Sequence, residues 1–206
     1  PNYSQTKKWY ALAKAAYAPA AVALGFVLDT VDDDYVAAAE SYSLAAQKGD
    51  AVGQYNLGLI YLAGKGQPVD LKKAQEYFTK AADKGLPAAM TQLASLYFNG
   101  IDGQKDEDQA LQWYQKAADL GNREANYQLG LLSETGVAMK LDFPTAVKYY
   151  QEAANRGDEK ALMALARIYQ FGLGTPKDLA HAAEIYQSLA ANNNAFAQYQ
   201  LAVFYY

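Results

Sequence analysis

Apolar residues in this chain fall at helical intervals in short blocks, and each block is bounded by a glycine or an aspartate. Leu57, Ile60 and Tyr61 form one block, and Leu93, Leu96 and Tyr97 form the next. Their spacings of three and four place each set on one face of a helix. After Gly64 and Gly66 the pattern breaks into a loop that contains Pro68. Asp70 then stands where a helix N-cap belongs, its carboxylate able to accept from orphan backbone N–H groups. A second block, Ala74, Tyr77, Phe78, Ala81 and Ala82, makes the buried side of another helix, and Gly85 sits where a left-handed C-terminal cap is expected. The pattern predicts pairs of amphipathic helices, each a hairpin that cannot bury its apolar faces alone. First helices are expected near Val52–Ala63, Ala88–Asn99, Glu124–Thr135, Lys160–Phe171 and Phe196–Tyr206. Second helices should follow Asp34, Asp70, Asp106, Asp142 and Asp178, with Pro144 tolerated in the first turn of one of them.

These blocks recur every 36 residues. Gly64, Gly100, Gly136 and Gly172 fall on that interval, as do Ala38, Ala74, Ala110, Ala146 and Ala182. A period of this length means stacked repeats in place of a single wrapped core. The repeats lie at about 20–50, 51–86, 87–122, 123–158 and 159–194, with partial repeats at 1–19 and 195–206. Stacked helix–turn–helix units give an all-α, right-handed α–α superhelical solenoid. The small residue after the motif leucine (Gly58, Ala94, Gly130, Ala166, Ala202) is expected to let a neighbouring helix approach closely. Departures are local: Ser133 replaces a motif tyrosine, Asp102 and Ala138 replace the second loop glycine, and Ile185 replaces an aromatic. The loop before Asp34 is shorter by three, with nine residues from Gly25 against twelve from Gly58 to Asp70. Both ends fall inside a repeat, so the chain is expected to be a segment of a longer array. Another hairpin of that array would cover Val203, Phe204, Tyr205 and Tyr206.

The string AVGQYNLGLIYLAGKGQPVDLKKAQEYFTKAADKGL at residues 51–86, with its Leu-Gly-x-x-Tyr-x-x-Gly core, resembles the Sel1-like repeat family of tetratricopeptide-like solenoids. The likeness extends over nearly the whole chain. It implies a non-enzymatic scaffold or adaptor whose partner is a protein or peptide. It further implies a bacterial envelope or host-interaction setting, periplasmic or secreted, which a bacterial enhanced-entry-type Sel1-repeat protein would fit. A carbohydrate- or cell-wall-binding solenoid is the alternative.

Composition narrows the chemistry. The net charge of −4 comes with no basic stripe, which argues against a nucleic-acid partner. The absence of cysteine excludes disulfides, thiolate metal sites and a cysteine nucleophile. The Ala-rich stretch 11–28 is superficially like a signal sequence or membrane span. Lys14 and Pro19 interrupt it, and Trp9-Tyr10 and Leu24-Gly25 fit the repeat, so it reads as structure with no membrane span. His181 is the only histidine and reads as a solvent-facing helix residue. The glycines around Lys65 lack a phosphate-binding pattern, and Asp32-Asp33-Asp34 lacks that of a calcium loop. No catalytic residues, metal ligands or cofactor are assigned.

Candidate site residues are those the repeat does not require. Tyr55, Tyr127 and Tyr199 share one position on the first helices, with Asn56, Gln92, Gln128 and Gln200 one place further along. Tetratricopeptide solenoids line their concave surface with first helices, and that likeness puts both rows in a ligand groove. Asn and Gln can donate to and accept from a peptide backbone, and Tyr offers apolar area with a polar tip. Packing between adjacent first helices is the competing account of the Asn/Gln row, while the tyrosine row reads as exposed. Leu59, Leu131 and Arg167 follow at a third position, giving an apolar half and a positively charged patch. The partner-binding set is therefore Tyr55, Asn56, Leu59, Gln92, Tyr127, Gln128, Leu131, Arg167 and Tyr199.

Overall fold

The computed structural model describes residues 2–101 and 103–205, so Asp102 and Tyr206 lie outside the described residues. Among these are twelve helices: α1 (Tyr3–Ala13), α2 (Ala18–Thr30), α3 (Tyr35–Gln47), α4 (Ala51–Ala63), α5 (Leu71–Asp83), α6 (Pro87–Asn99), α7 (Glu107–Asp119), α8 (Arg123–Thr135), α9 (Phe143–Asn155), α10 (Glu159–Phe171), α11 (Leu179–Ala191) and α12 (Ala195–Tyr205). No β-strand forms among the described residues, and the fold is an all-α helical repeat solenoid. The helices divide into two compact units, Pro1–Trp113 and Tyr114–Tyr206. Each first helix from α4 onward starts one residue before its expected position. The Ala-rich stretch breaks at 14–17, and Pro19 enters the first turn of α2.

Capping explains why the boundaries fall where they do. Asp34, Asp70, Asp106, Asp142 and Asp178 each accept the backbone N–H three residues on, at 2.9–3.2 Å. The backbone N–H of the same aspartates donates back to the end of the preceding first helix, at the carbonyls of Leu28, Tyr61, Tyr97, Ser133 and Tyr169. That bond uses the main chain, so Ser133 makes it as well as a tyrosine does. At the other end of each hairpin, Gly85 at φ +81° donates to the Ala82 carbonyl while Leu86 donates to Ala81, closing a left-handed C-cap. The residue after this turn often caps the next helix. Asp50, Asn122, Asp158 and Asn194 accept from Gly53, Ala125, Ala161 and Ala197 at 2.8–3.0 Å.

Packing within a hairpin explains the small residue after the leucine. A Cβ added to Gly58 would lie 2.6 Å from the Phe78 ring, and one on Gly130 would lie 2.6 Å from the Tyr150 ring. The close approach is thus by an aromatic ring of the hairpin's own second helix. Gly25 meets Tyr42 in the same way at 2.7 Å. The hairpin with the shortened loop keeps this seat, because the missing residues lie beyond the packed turns. In the C-terminal unit, Tyr150, Leu165, Ile168, Tyr186 and Leu189 form one fully buried cluster. Tyr42, Leu57 and Ile60 form another in the N-terminal unit.

Candidate functional site

The first helices of the C-terminal unit border a cleft of about 650 Å³. Helix α8 supplies Tyr127, Leu131 and Glu134, α10 supplies Met163, Arg167, Gln170 and Phe171, and α12 supplies Phe196 and Gln200. Tyr150 and Tyr186 reach it from the second helices α9 and α11. Phe171 is 63% and Phe196 51% exposed, so the cleft offers aromatic surface to a partner.

Its inner wall is polar and internally bonded. Glu134 accepts from the Arg167 guanidinium at Oε1 and from the Tyr150 hydroxyl at Oε2, the latter at 2.7 Å. The Tyr186 hydroxyl donates to Gln170 Oε1 at 3.1 Å. Burial, with Glu134 beside it, holds the Tyr150 hydroxyl far above the ordinary tyrosine range, and burial also raises that of Tyr186. Both tyrosines therefore act as donors. Lys160 lies 5.5 Å over the Tyr127 ring and 4.0 Å from Glu124.

Of the residues singled out from sequence, Tyr127, Leu131 and Arg167 come together in this cleft. Tyr127 is half-buried, its ring 5.9 Å from that of Tyr150. Gln128 turns along its own helix to donate to Glu124 at 2.8 Å. Tyr199 on α12 is 64% exposed. Tyr55, Asn56, Leu59 and Gln92 belong to the N-terminal unit, where all four are half-buried on α4 and α6. The Tyr55 ring packs 5.9 Å from Phe78, and burial raises its hydroxyl above the ordinary range. Asn56 borders an apolar hollow of about 490 Å³ with Val22, Phe26 and Val52. Thr91, at the same repeat position as Tyr55, is buried and bonded to the Pro87 carbonyl.

One expectation changes. Arg167 does not present an unpaired positive patch, because the Glu134 carboxylate neutralises it one repeat away. Residues not singled out from sequence include Glu134 and Gln170, which stand 36 apart, and Tyr150 and Tyr186, also 36 apart. The repeat register alone does not signal these pairs: Tyr150 and Tyr186 have Glu134 and Gln170 sixteen residues before them, but the equally buried Tyr42 and Tyr114, at the same register position, have Phe26 and Phe98 there. His181 is exposed, its ring 4.6 Å edge-on to Tyr169 and Nδ1 3.5 Å from Glu184. Among the described residues no cluster of three or more His, Asp and Glu could hold a metal, and no helix is long and apolar enough to cross a membrane.

The pattern of the Sel1 repeat matches residues 51–86, 87–122, 123–158 and 159–194. No curated protein sequence matches the chain. Among solved structures, one similar protein is a protective antigen present in uropathogenic Escherichia coli strains displaying an SLR fold. It is 29% identical at a TM-score of 0.87, over 100% of this chain and 44% of that one. This chain thus spans less than half the length of that protein. A Sel1 repeat protein from Oxalobacter formigenes is 32% identical at a TM-score of 0.81, over 92% of this chain and 78% of that one. Cysteine rich protein B of Helicobacter pylori is 26% identical at a TM-score of 0.51, over 66% of this chain and 98% of that one.

Proposed function

Because this chain belongs to the Sel1 repeat family, we propose that it is a non-enzymatic adaptor holding a protein or peptide partner in the first-helix cleft of its C-terminal unit. Sel1 repeat proteins generally mediate protein–protein interaction and are generally non-catalytic. The observation that carries the reading is the cleft itself, where exposed Phe171 and Phe196 flank half-buried Tyr127. Solvent-facing aromatic surface beside a concavity is what a partner-binding site requires. A bacterial envelope or host-contact setting, periplasmic or secreted, draws support from the likeness to a protective antigen of uropathogenic Escherichia coli. The exposed Tyr199 and Phe171 favour, as a second reading, a carbohydrate or cell-wall ligand stacking on aromatic rings.

Partner capture from a bacterial envelope fraction, run beside a glycan array, separates the two readings. Saturable glycan binding with no retained protein would favour the second. Once a partner is in hand, Tyr127→Ala should weaken binding by about 1–3 kcal/mol. It should disturb folding far less than Leu129→Ala, which removes a fully buried side chain and should cost roughly 2–5 kcal/mol of stability. Affinity and thermal stability are measured for both variants. Normal binding by a Tyr127→Ala protein that unfolds as readily as Leu129→Ala would make that tyrosine a core residue and remove the cleft from consideration.

A further inference from the structure

Two ion pairs between successive repeats, one in each unit, are built on the same position of the repeat. Asp29 and Glu134 each stand four residues after the motif's small residue, Gly25 and Gly130. Each also lies beside the tyrosine whose ring seats on that glycine. Glu134 accepts from the Tyr150 hydroxyl, and the Asp29 charge adds to burial in raising the Tyr42 hydroxyl above its ordinary range. The loop shorter by three leaves Asp29 thirteen residues before Tyr42, against sixteen from Glu134 to Tyr150. Both carboxylates are shielded, with side chains 19% and 11% exposed, and each is met by a cation of the next repeat. Lys65, in the loop after α4, donates to Asp29 at 2.6 Å and lies 4.9 Å over the Tyr35 ring at the start of α3. Arg167 on α10 donates to Glu134. The Glu124–Lys160 contact, at 4.0 Å, has no such shielding.

The two cations occupy different places in the repeat. Arg167 directly follows Ala166, whereas Lys65 stands seven residues after Gly58. One carboxylate position thus acquires its cation by two routes, so the pairing is not a by-product of the period. Nor does burial at these places need charge. The carboxylate's counterparts include Leu62 and Phe98, those of Arg167 include Leu59 and Leu131, and those of Lys65 include Val137 and Leu173. What charge adds is direction. Glu134 accepts from both α9 and α10, and those bonds form at one relative placement of the two hairpins. Apolar side chains in contact can slide at little cost, because their attraction has no direction.

We propose that the Asp29–Lys65 and Glu134–Arg167 pairs are orienting joints: each fixes the angle between its two hairpins, and exchanging it for apolar residues loosens that angle while the hairpins stay folded. The C-terminal joint stands in the wall of the cleft, so the same angle sets the spacing of α8 and α10 there.

The chain has no cysteine, so two introduced ones carry the only spin labels. Thr135→Cys and Phe171→Cys mark the exposed ends of α8 and α10, and pulsed electron paramagnetic resonance reads the spread of distances between them. Glu134→Leu combined with Arg167→Leu should keep the thermal midpoint within about 5 °C of the unsubstituted chain, since apolar residues replace a shielded pair at little cost. The distance spread should widen roughly two-fold in that double variant. Arg167→Leu alone leaves the shielded carboxylate without its cation and should lower the midpoint by about 10 °C. Asp29→Leu with Lys65→Leu, labelled at Thr30→Cys and Ala63→Cys, repeats the measurement at the other joint. Circular dichroism checks that each variant is folded. An unchanged spread in a folded double variant would overturn the inference for that joint. A double variant that melts as low as Arg167→Leu, or fails to fold, would make the pair a stabilising contact and overturn it as well.

Discussion

Residue by residue, the repeat tolerates change where the main chain makes the bond and resists it where a side chain must. Ser133 stands in for a tyrosine because the Asp142 N–H seeks only its carbonyl. Tyr150, by contrast, is bonded through a side chain, its buried hydroxyl donating to Glu134. Periodicity brought out the tyrosine positions, but not that Arg167 and Tyr150 share one carboxylate, since those partners meet only through folding, from 33 and 16 residues away. Ala138 departs from the repeat at an energetic cost. Ala138 adopts φ +61°, where its counterparts Gly66 and Gly174 sit at +68° and +66°. A Cβ in this left-handed region crowds the adjacent carbonyl. Ala138→Gly should therefore raise stability by about 1 kcal/mol despite the greater freedom glycine gives the unfolded chain. Urea unfolding of the two proteins measures it, and a lower midpoint for the glycine variant would show that the loop carries no such strain.

Helices were the most legible elements, because their signals are local. Five aspartates at one register position predict five N-caps, and all five make the bond. The first-helix caps were harder to see, since Asp50, Asn122, Asp158 and Asn194 differ in type and one place is taken by Leu86. Capping also sets an acid limit. The Asp142 carboxyl lies below the ordinary aspartate range because Thr145 donates to it through its hydroxyl and its backbone N–H. The Asp70 carboxyl is lowered chiefly by the Lys73 backbone N–H. A carboxyl whose folded pKa is depressed contributes stability that is present above its unfolded pKa and lost as pH falls through the folded one. The stabilisation from these caps should hold at neutral pH and disappear on acidification from about pH 4 downward. Asp70→Asn combined with Asp142→Asn keeps a capping oxygen but removes the titration. Thermal melts across that range should show a smaller acid-induced loss for the double variant, and an identical loss would assign the acid sensitivity to other groups.

For the whole molecule, a repeating sequence fixes neighbours more firmly than it fixes a binding surface. The 36-residue period is enough to recognise a solenoid, because every unit repeats the same burial. A cleft arises where units differ, as at Met163, Phe171 and Phe196, and differences carry no periodic signal. The same nearest-neighbour logic governs how the molecule should come apart. In a linear stack, losing a core side chain weakens its own unit and the adjoining interfaces, while more distant repeats keep their contacts. Leu165 is 4% exposed within the C-terminal cluster that includes Ile168, Tyr186 and Leu189. Leu165→Ala should cost roughly 2–5 kcal/mol locally. Amide hydrogen exchange should then accelerate in α10, α11 and α12, while α4 and α5 keep most of their protection. The cleft is bordered by α8, α10 and α12, so partner affinity should fall in the same variant even though Leu165 is not among its lining residues. Uniform acceleration from α2 to α12 would instead mean that all the repeats unfold as one cooperative body, and the nearest-neighbour account would fail.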